Sequence, residues 1–126
     1  MIYGEVNAQR EAVVQVTLCG KEGLEITIDA VVDTGFTDNL TLPAVLIQQM
    51  GYQLVGTSRA RLADGRLTEN DVHSAVVMWQ GKRRTVHVHL AENEPLLGML
   101  LLYGCTVTLH VVDGGEVTIE PDYKDD

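Results

Sequence analysis

Asp33, Thr34 and Gly35 form the tripeptide in this sequence that is best suited to chemistry. A carboxylate in such a loop can act as a general base toward a bound water, and a glycine two positions later lets the backbone turn and approach a substrate closely. The apolar residues 31–32 end a predicted buried strand, and the apolar run Leu40–Leu42 predicts another strand directly after the loop. The sequence therefore predicts a loop between two strands, with Asp33 as its reactive group.

Hydrolysis of a peptide bond by carboxylates requires two of them around one water. The ionised carboxylate takes a proton from the water, and the protonated one polarises the carbonyl group. Like charges about 3 Å apart cannot both ionise, so the two groups share a proton, and the resulting pKa values belong to the pair. The chain contains one Asp-Thr-Gly. We therefore expect the second carboxylate to come from a second copy across a two-fold axis, and the monomer to be inactive.

Residues 32–43 (VDTGFTDNLTLP) resemble the active-site segment of the retropepsin-like aspartic peptidases, and they look closest to the bacterial single-domain members. A second element, Leu96-Leu97-Gly98, is similar to the signature of two hydrophobic residues and a glycine that lies under the catalytic loop in that family. The two elements have the family's order and spacing, and the resemblance covers about residues 14–109.

The resemblance implies a mostly β fold, namely a closed acid-protease β-barrel with one or two short helices that functions as a homodimer. It implies an endopeptidase with Asp33 as the catalytic residue, Thr34 bracing the loop across the dimer axis, and no cofactor or metal. The substrate would be an extended peptide or protein, held under a hairpin that closes as a flap. The residues expected to support or bind are Thr34 and Gly35 in the loop, Phe36, Thr37, Ala63, Asp64 and Gly65 at the substrate, and Leu96, Leu97 and Gly98 beneath the loop.

The sequence departs from the family pattern at two places. The family often carries Asp or Asn two residues after the signature glycine, where this chain has Leu100. This departure puts in question a polar contact that helps to hold a short C-terminal helix. Thr37 and Asp38 also differ from the retroviral pattern, so details of the substrate subsites do not transfer.

Short strands separated by turn signals dominate the rest of the chain. Val14, Val16 and Leu18 alternate with polar residues, as in a half-buried strand. A helix is predicted from Pro43, at its first position, to Met50. Asp-Gly between the strand-like runs 52–62 and 67–79 predicts a hairpin, and Asp113-Gly114-Gly115 predicts another. We expect one domain, residues 1–121, followed by an acidic tail, residues 122–126 (DYKDD), which matches the start of a common epitope tag and is left out of fold reasoning.

The composition disfavours several partners. A formal net charge of −9 argues against nucleic acid and against an anionic membrane surface. No apolar run approaches the roughly 18 residues of a membrane span, and the N-terminus does not have the pattern of a signal peptide. Cys19 and Cys105 form no Cys-x-x-Cys unit, so we expect two reduced thiols and a cytoplasmic protein.

Other interpretations stay open at this point. His87 and His89 lie two residues apart on one predicted strand, which could suggest a zinc site, although His73 and His110 show no matching ligand spacing. The apolar run 96–102 could contact a partner instead of packing in the core. A different class of function is a catalytically silent domain that binds peptides or dimerises. A third is a small β interaction module in which the Asp-Thr-Gly sequence is accidental.

Overall fold

The structure of the chain is a computed structural model that describes residues 1–122. Apart from Asp122, the predicted acidic tail lies outside the described residues. These residues form ten strands and two short α-helices, and a turn of 3-10 helix at Lys21–Gly23 separates β2 from β3. The strands are β1 (Ile2–Val6), β2 (Ala12–Cys19), β3 (Glu25–Val32), β4 (Leu40–Leu42), β5 (Gln53–Arg61), β6 (Leu67–Trp79), β7 (Lys82–Leu90), β8 (Leu96–Leu97), β9 (Cys105–Leu109) and β10 (Glu116–Pro121); the helices are α1 (Ala44–Met50) and α2 (Met99–Leu102).

The alternating residues of β2 behave as their pattern predicts. Val14, Val16 and Leu18 are buried, whereas Gln15 is exposed. Successive side chains of a strand point to opposite faces, so one face of β2 enters the core. The core consists mainly of Val, Leu and Ile, and its largest fully buried side chains are Leu18, Leu40, Leu42, Met50, Leu97, Leu101 and Ile119.

The strands pair in the order β5-β6-β7-β4-β8-β3-β2-β1-β10-β9, and β6 also pairs with β2. The short strands β4 and β8 lie in the middle of this order. β8 runs parallel to β3 and antiparallel to β4. The mostly β architecture is confirmed, whereas the closed barrel and the homodimer remain predictions.

The helix α1 agrees with its prediction except at its start. Pro43 has an extended backbone (φ −66°, ψ 149°) and therefore precedes the first helical residue. Gly51 ends the helix in the left-handed conformation (φ 75°), which glycine adopts at little cost. The helix α2 begins directly after Gly98 and buries Leu101 and Leu102. Within residues 1–122, no helix is long and apolar enough to span a membrane.

Two hairpins correspond to the predicted turns. β5 and β6 pair from Gln53↔Ser74 to Arg61↔Leu67, and Gly65 lies in the connecting turn with φ 87°. β9 and β10 pair across the turn that contains Asp113 and Gly114. The N–H of Gly114 donates to the carbonyl oxygen of Val6 at 2.9 Å, so Asp113 belongs to a structural turn.

Candidate active site

Asp33 follows the last residue of β3 and is partly buried. Its backbone N–H donates to the carbonyl oxygen of Leu97 at 2.9 Å. Its carboxylate oxygen Oδ1 accepts the N–H of Gly35 at 2.9 Å, while Oδ2 accepts no hydrogen bond from the rest of residues 1–122. One oxygen therefore fixes the rotamer of Asp33, and the other is available to a water or a second carboxyl group.

Strand β8 supports this loop from beneath. Val32 pairs with Leu97, which is fully buried, and Leu97 also pairs with Leu40 of β4. The N–H of Gly98 donates to the carbonyl oxygen of Asn39 at 2.8 Å. The two sequence elements predicted to belong together, the loop after β3 and Leu96-Leu97-Gly98, are thus joined by backbone hydrogen bonds.

Gly98 is the point of closest approach between these two elements. A Cβ atom added there would collide with the carbonyl oxygen of Asp38. It would also lie 2.6 Å from Cδ2 and 2.8 Å from the carbonyl oxygen of Phe36. Only glycine fits at this position without moving the loop backbone. At Gly35 the added atom would lie 3.2 Å from Oδ1 of Asp33, so this glycine also leaves space beside the carboxylate.

The other predicted site residues occupy two separate places. Thr34 and Thr37 are exposed in the loop, and the ring of Phe36 meets the ring of His89 edge-on, with 6.1 Å between centroids. Ala63, Asp64 and Gly65 lie exposed at the tip of the β5–β6 hairpin. Within residues 1–122, no hydrogen bond or ion pair joins that tip to the loop. The structure therefore brings together the loop and its support, but not the loop and the predicted flap.

A hydrogen-bond partner of the loop was not predicted from the sequence. Nε2 of His89, on β7, lies 2.6 Å from Oδ2 of Asp38. The spacing of His87 and His89 in the sequence suggested a zinc pair. In the structure His87 is exposed. Among residues 1–122, no group of three or more His, Cys, Asp or Glu side chains is arranged to hold a metal ion. No local sequence signal identifies the pair, because it depends on the parallel register of β4 and β7, which places Thr41 beside His89.

A cavity of about 390 Å³ lies beside Asp33. It is lined by Val6, Arg10, Glu11, Ala12, Val31, Val32, Asp33, Leu96, Leu109 and Val111. Glu11 forms a carboxyl–carboxylate hydrogen bond with Glu94. This bond lowers the pKa of Glu11 and raises the pKa of Glu94. The cavity combines apolar walls with the carboxyl groups of Glu11 and Asp33 and the guanidinium group of Arg10.

Helix α2 is held against the loop by backbone groups. The N–H of Met99 donates to the carbonyl oxygen of Phe36 at 2.8 Å. The N–H of Leu100 donates to the carbonyl oxygen of Asp38 at 3.2 Å. The anchoring role expected of a polar side chain at position 100 is therefore taken by the main chain. The side chains of Met99 (45% exposed), Leu100 (48%) and Tyr103 (84%) instead face outward. Thr34 lines a cavity of about 350 Å³ together with Met99 and Tyr103.

The backbone is similar to a solved structure, the solution structure of simian foamy virus (mac) protease. The TM-score is 0.51 and the sequence identity 17%, and the match covers 68% of this chain and 86% of the viral one. The chain has a retropepsin-like fold. No family model matches the chain, and no curated protein matches its sequence significantly. The retropepsin-like fold therefore rests on the arrangement of the backbone, independently of the resemblance read from the motifs.

Proposed function

We propose that the chain is one subunit of a homodimeric aspartic endopeptidase, of the bacterial single-domain retropepsin type, formed by residues 1–121. Two copies of Asp33, one from each subunit, would share a proton and activate one water for attack on a peptide carbonyl. The observation that carries the proposal is the position of Asp33 in a retropepsin-like fold. Its loop is hydrogen-bonded to Leu97 and packs closely against Gly98.

The remaining roles follow from that arrangement. Thr34 would brace the loop of one subunit against the loop of the other, and Gly35 would leave room for the substrate backbone. Ala63, Asp64 and Gly65 would close over an extended peptide when the hairpin moves, with Phe36 and Thr37 forming part of its binding surface. The ring of paired strands from β2 through β6, β7, β4, β8 and β3 supports the proposal that each subunit encloses a barrel. The two free cysteines fit a reducing compartment, as the proposed cytoplasmic location requires.

The apolar face formed by Met99, Leu100 and Tyr103 is the proposed contact with the second copy. It adjoins Thr34, so a copy docked there would bring its own Asp33 loop toward the first. Exposed apolar groups grouped on one face are typical of interaction sites. The replacement of the family's polar residue by Leu100 makes this face more apolar.

The Asp33→Asn variant tests the proposal. It keeps the shape of the side chain but removes its ability to ionise, so we expect cleavage of a peptide library to fall by at least about 10²-fold. Asp113→Asn is the matched control, because Asp113 lies in the structural turn between β9 and β10, and it should cleave like the wild type. Circular dichroism should show the same fold for all three proteins.

Two results would contradict the proposal. Equal cleavage by the wild type and Asp33→Asn would show that Asp33 is not catalytic. Carboxyl groups that share a proton can work from about pH 3 to about pH 8. A wild type that dimerises but cleaves no peptide in this range would favour a silent binding domain.

A further inference from the structure

His89 lies between the candidate catalytic loop and the β5–β6 hairpin. It is on β7, where Val86 and Val88 point into the core. Successive side chains alternate between faces, so His87 and His89 share the opposite face. Only 16% of the His89 side chain is exposed to solvent, whereas His87 belongs to the exposed residues. Of these two histidines, His89 is therefore the one that neighbours from other elements enclose.

The first neighbour is Asp38, five residues after Asp33. The distance of 2.6 Å between Nε2 of His89 and Oδ2 of Asp38 is short for a hydrogen bond between nitrogen and oxygen. The other carboxylate oxygen of Asp38 accepts the N–H of Asn39 at 2.8 Å. Because an ionised carboxylate only accepts hydrogen bonds, Nε2 of His89 must carry a hydrogen. Asp38 therefore determines which tautomer the neutral imidazole adopts.

The second neighbour is Ser58, on β5. Its hydroxyl oxygen lies 3.5 Å from Nδ1 of His89, which is a close contact but longer than an ordinary hydrogen bond. Ser58 is the single β5 residue that is not fully exposed. Arg59 and Arg61 bond within the hairpin, to Glu69 and to the carbonyl oxygen of Gly65. Among the described residues, Ser58 is thus the β5 side chain that makes a polar contact with an element beyond β6.

We infer that His89 is a positioning residue that links the hairpin to the candidate catalytic loop. Asp38 holds one nitrogen of the imidazole, Ser58 contacts the other, and the ring of Phe36 packs against it. Movement of β5 toward or away from the body of the protein then changes the surroundings of Asp38 through a single rigid ring. The link itself is a property of the fold, and its kinetic consequence rests on the proposed peptidase function.

The tautomer of His89 in the wild type tests the link. In ¹⁵N–¹H correlation spectra of the full-length wild type, we expect neutral His89 to carry its hydrogen on Nε2, with His87→Ala and His89→Ala used for assignment. A neutral His89 with its hydrogen on Nδ1 would overturn the inference, because Asp38 could not then be its acceptor.

Amide hydrogen exchange tests the mechanical consequence. In His89→Ala we expect exchange to accelerate about tenfold both in residues 33–39 and in β5, since a charge-assisted hydrogen bond and its packing are lost. In the control His87→Ala both segments should exchange as in the wild type. His89→Gln, whose amide can still donate to Asp38, should restore the protection of residues 33–39. Acceleration confined to one of the two segments in His89→Ala would show that His89 does not connect them.

Peptide cleavage measures the effect on function through a double-mutant cycle. We expect Ser58→Ala to raise KM by about threefold, since it loosens only the hairpin, and to have no further effect when His89 is already alanine. A full additional effect of Ser58→Ala in the His89→Ala background would overturn the inference. If the wild type cleaves nothing, the proposed function fails by itself, and the tautomer and exchange experiments still decide the link.

Discussion

At the scale of single residues, the position of the Asp33 loop depends on the absence of a side chain at Gly98. The glycine lets the carbonyl groups of Phe36 and Asp38 approach β8 closely, and those carbonyls in turn accept the N–H groups of α2. A methyl group there would separate the loop from its support. The position of the Asp33 loop and the packing of α2 thus both depend on the absence of a side chain at Gly98.

We predict that Gly98→Ala destabilises the protein by about 2 kcal/mol, a typical cost of forcing extra atoms into a packed site. Urea denaturation measures this change. Gly56→Ala, on β5, is the control, because an added Cβ at Gly56 meets no atom within 4 Å. Equal stability of Gly98→Ala and Gly56→Ala would show that the loop shifts at no cost.

The sequence identifies Asp33 and Gly98 because both belong to short local motifs. It does not identify the contact between Asp38 and His89, which are 51 residues apart. That pair exists because β4 and β7 align in parallel with Thr41 beside His89. Such a register depends on the whole sheet, so no local pattern reports it.

At the scale of elements, Tyr52 joins the end of α1 to the junction of β2 and β6. Its N–H donates to the carbonyl oxygen of Ile47, which completes the helix end at Gly51. Its hydroxyl lies 2.9 Å from the carbonyl oxygen of Cys19 and 3.0 Å from that of Val76, two residues that pair across β2 and β6. One side chain thus holds the helix against the point where β6 meets β2.

We predict that Tyr52→Phe lowers the free energy of unfolding by about 1 kcal/mol, since two carbonyl groups lose their shared donor. Burial raises the pKa of Tyr52 to about 12 from its ordinary value of 10.0. The folded state therefore binds the phenolic proton more tightly, and this stabilisation is lost as pH rises from 10 through 12. Denaturation at several pH values should show this loss in the wild type and in the control Tyr3→Phe, but not in Tyr52→Phe.

The hydrogen bond between Glu11 and Glu94 links the segments before β2 and before β8. The pKa of Glu94 is raised from 4.5 because it donates its proton to Glu11. The stabilisation from this shift is present below 4.5 and is lost as pH rises through the raised pKa, where both groups ionise and repel. Because the pKa of Glu11 is lowered, its share of the stabilisation is lost as pH falls, so the hydrogen bond is most stable between the two pKa values.

We predict that Glu94→Gln, which keeps a donor for Glu11 at every pH, removes this dependence. The carboxyl carbon of Glu11, followed by NMR, should show one titration in the variant and two coupled steps in the wild type. Glu92→Gln, in the same exposed segment, should titrate like the wild type. Two steps in Glu94→Gln would mean that another group faces Glu11.

Elements with strict alternation, such as β2, are predictable because one buried face selects a period of two. The strands β1 and β8 are not predicted. β1 contains Gly4 and Glu5 and is stabilised by pairing with β10 at the far end of the chain. β8 has two residues and is a strand because β3 and β4 lie on either side of it.

At the scale of the whole molecule, the proposed function makes the candidate site one half of a symmetric arrangement. The loop of Asp33 contains one carboxylate, and Met99, Leu100 and Tyr103 form an exposed apolar face next to it. The sequence predicts the requirement for a second copy from its single Asp-Thr-Gly. It does not predict which surface meets that copy, because exposure depends on the packing of α2.

We predict that Tyr103→Lys weakens self-association at least tenfold, because a charge at the centre of an apolar contact must lose its water. Sedimentation velocity over a range of concentrations measures this change, and peptide cleavage should fall in parallel. Val45→Lys, at another exposed apolar position, on α1, is the control. A variant that associates like the wild type would place the contact elsewhere, and a wild type that is monomeric at all concentrations would contradict the dimer.

The position of β5 at the end of the strand order has a consequence for aggregation. Its outer edge carries backbone N–H and C=O groups that pair with no other strand among the described residues, and Leu54 and Val55 are exposed on it. Such an edge is a template on which further chains can stack. Arg61 also lies on β5 and bonds to a neutral carbonyl group, so its charge opposes the stacking of identical copies. The strand proposed to cover a substrate thus carries its own protection against fibril growth.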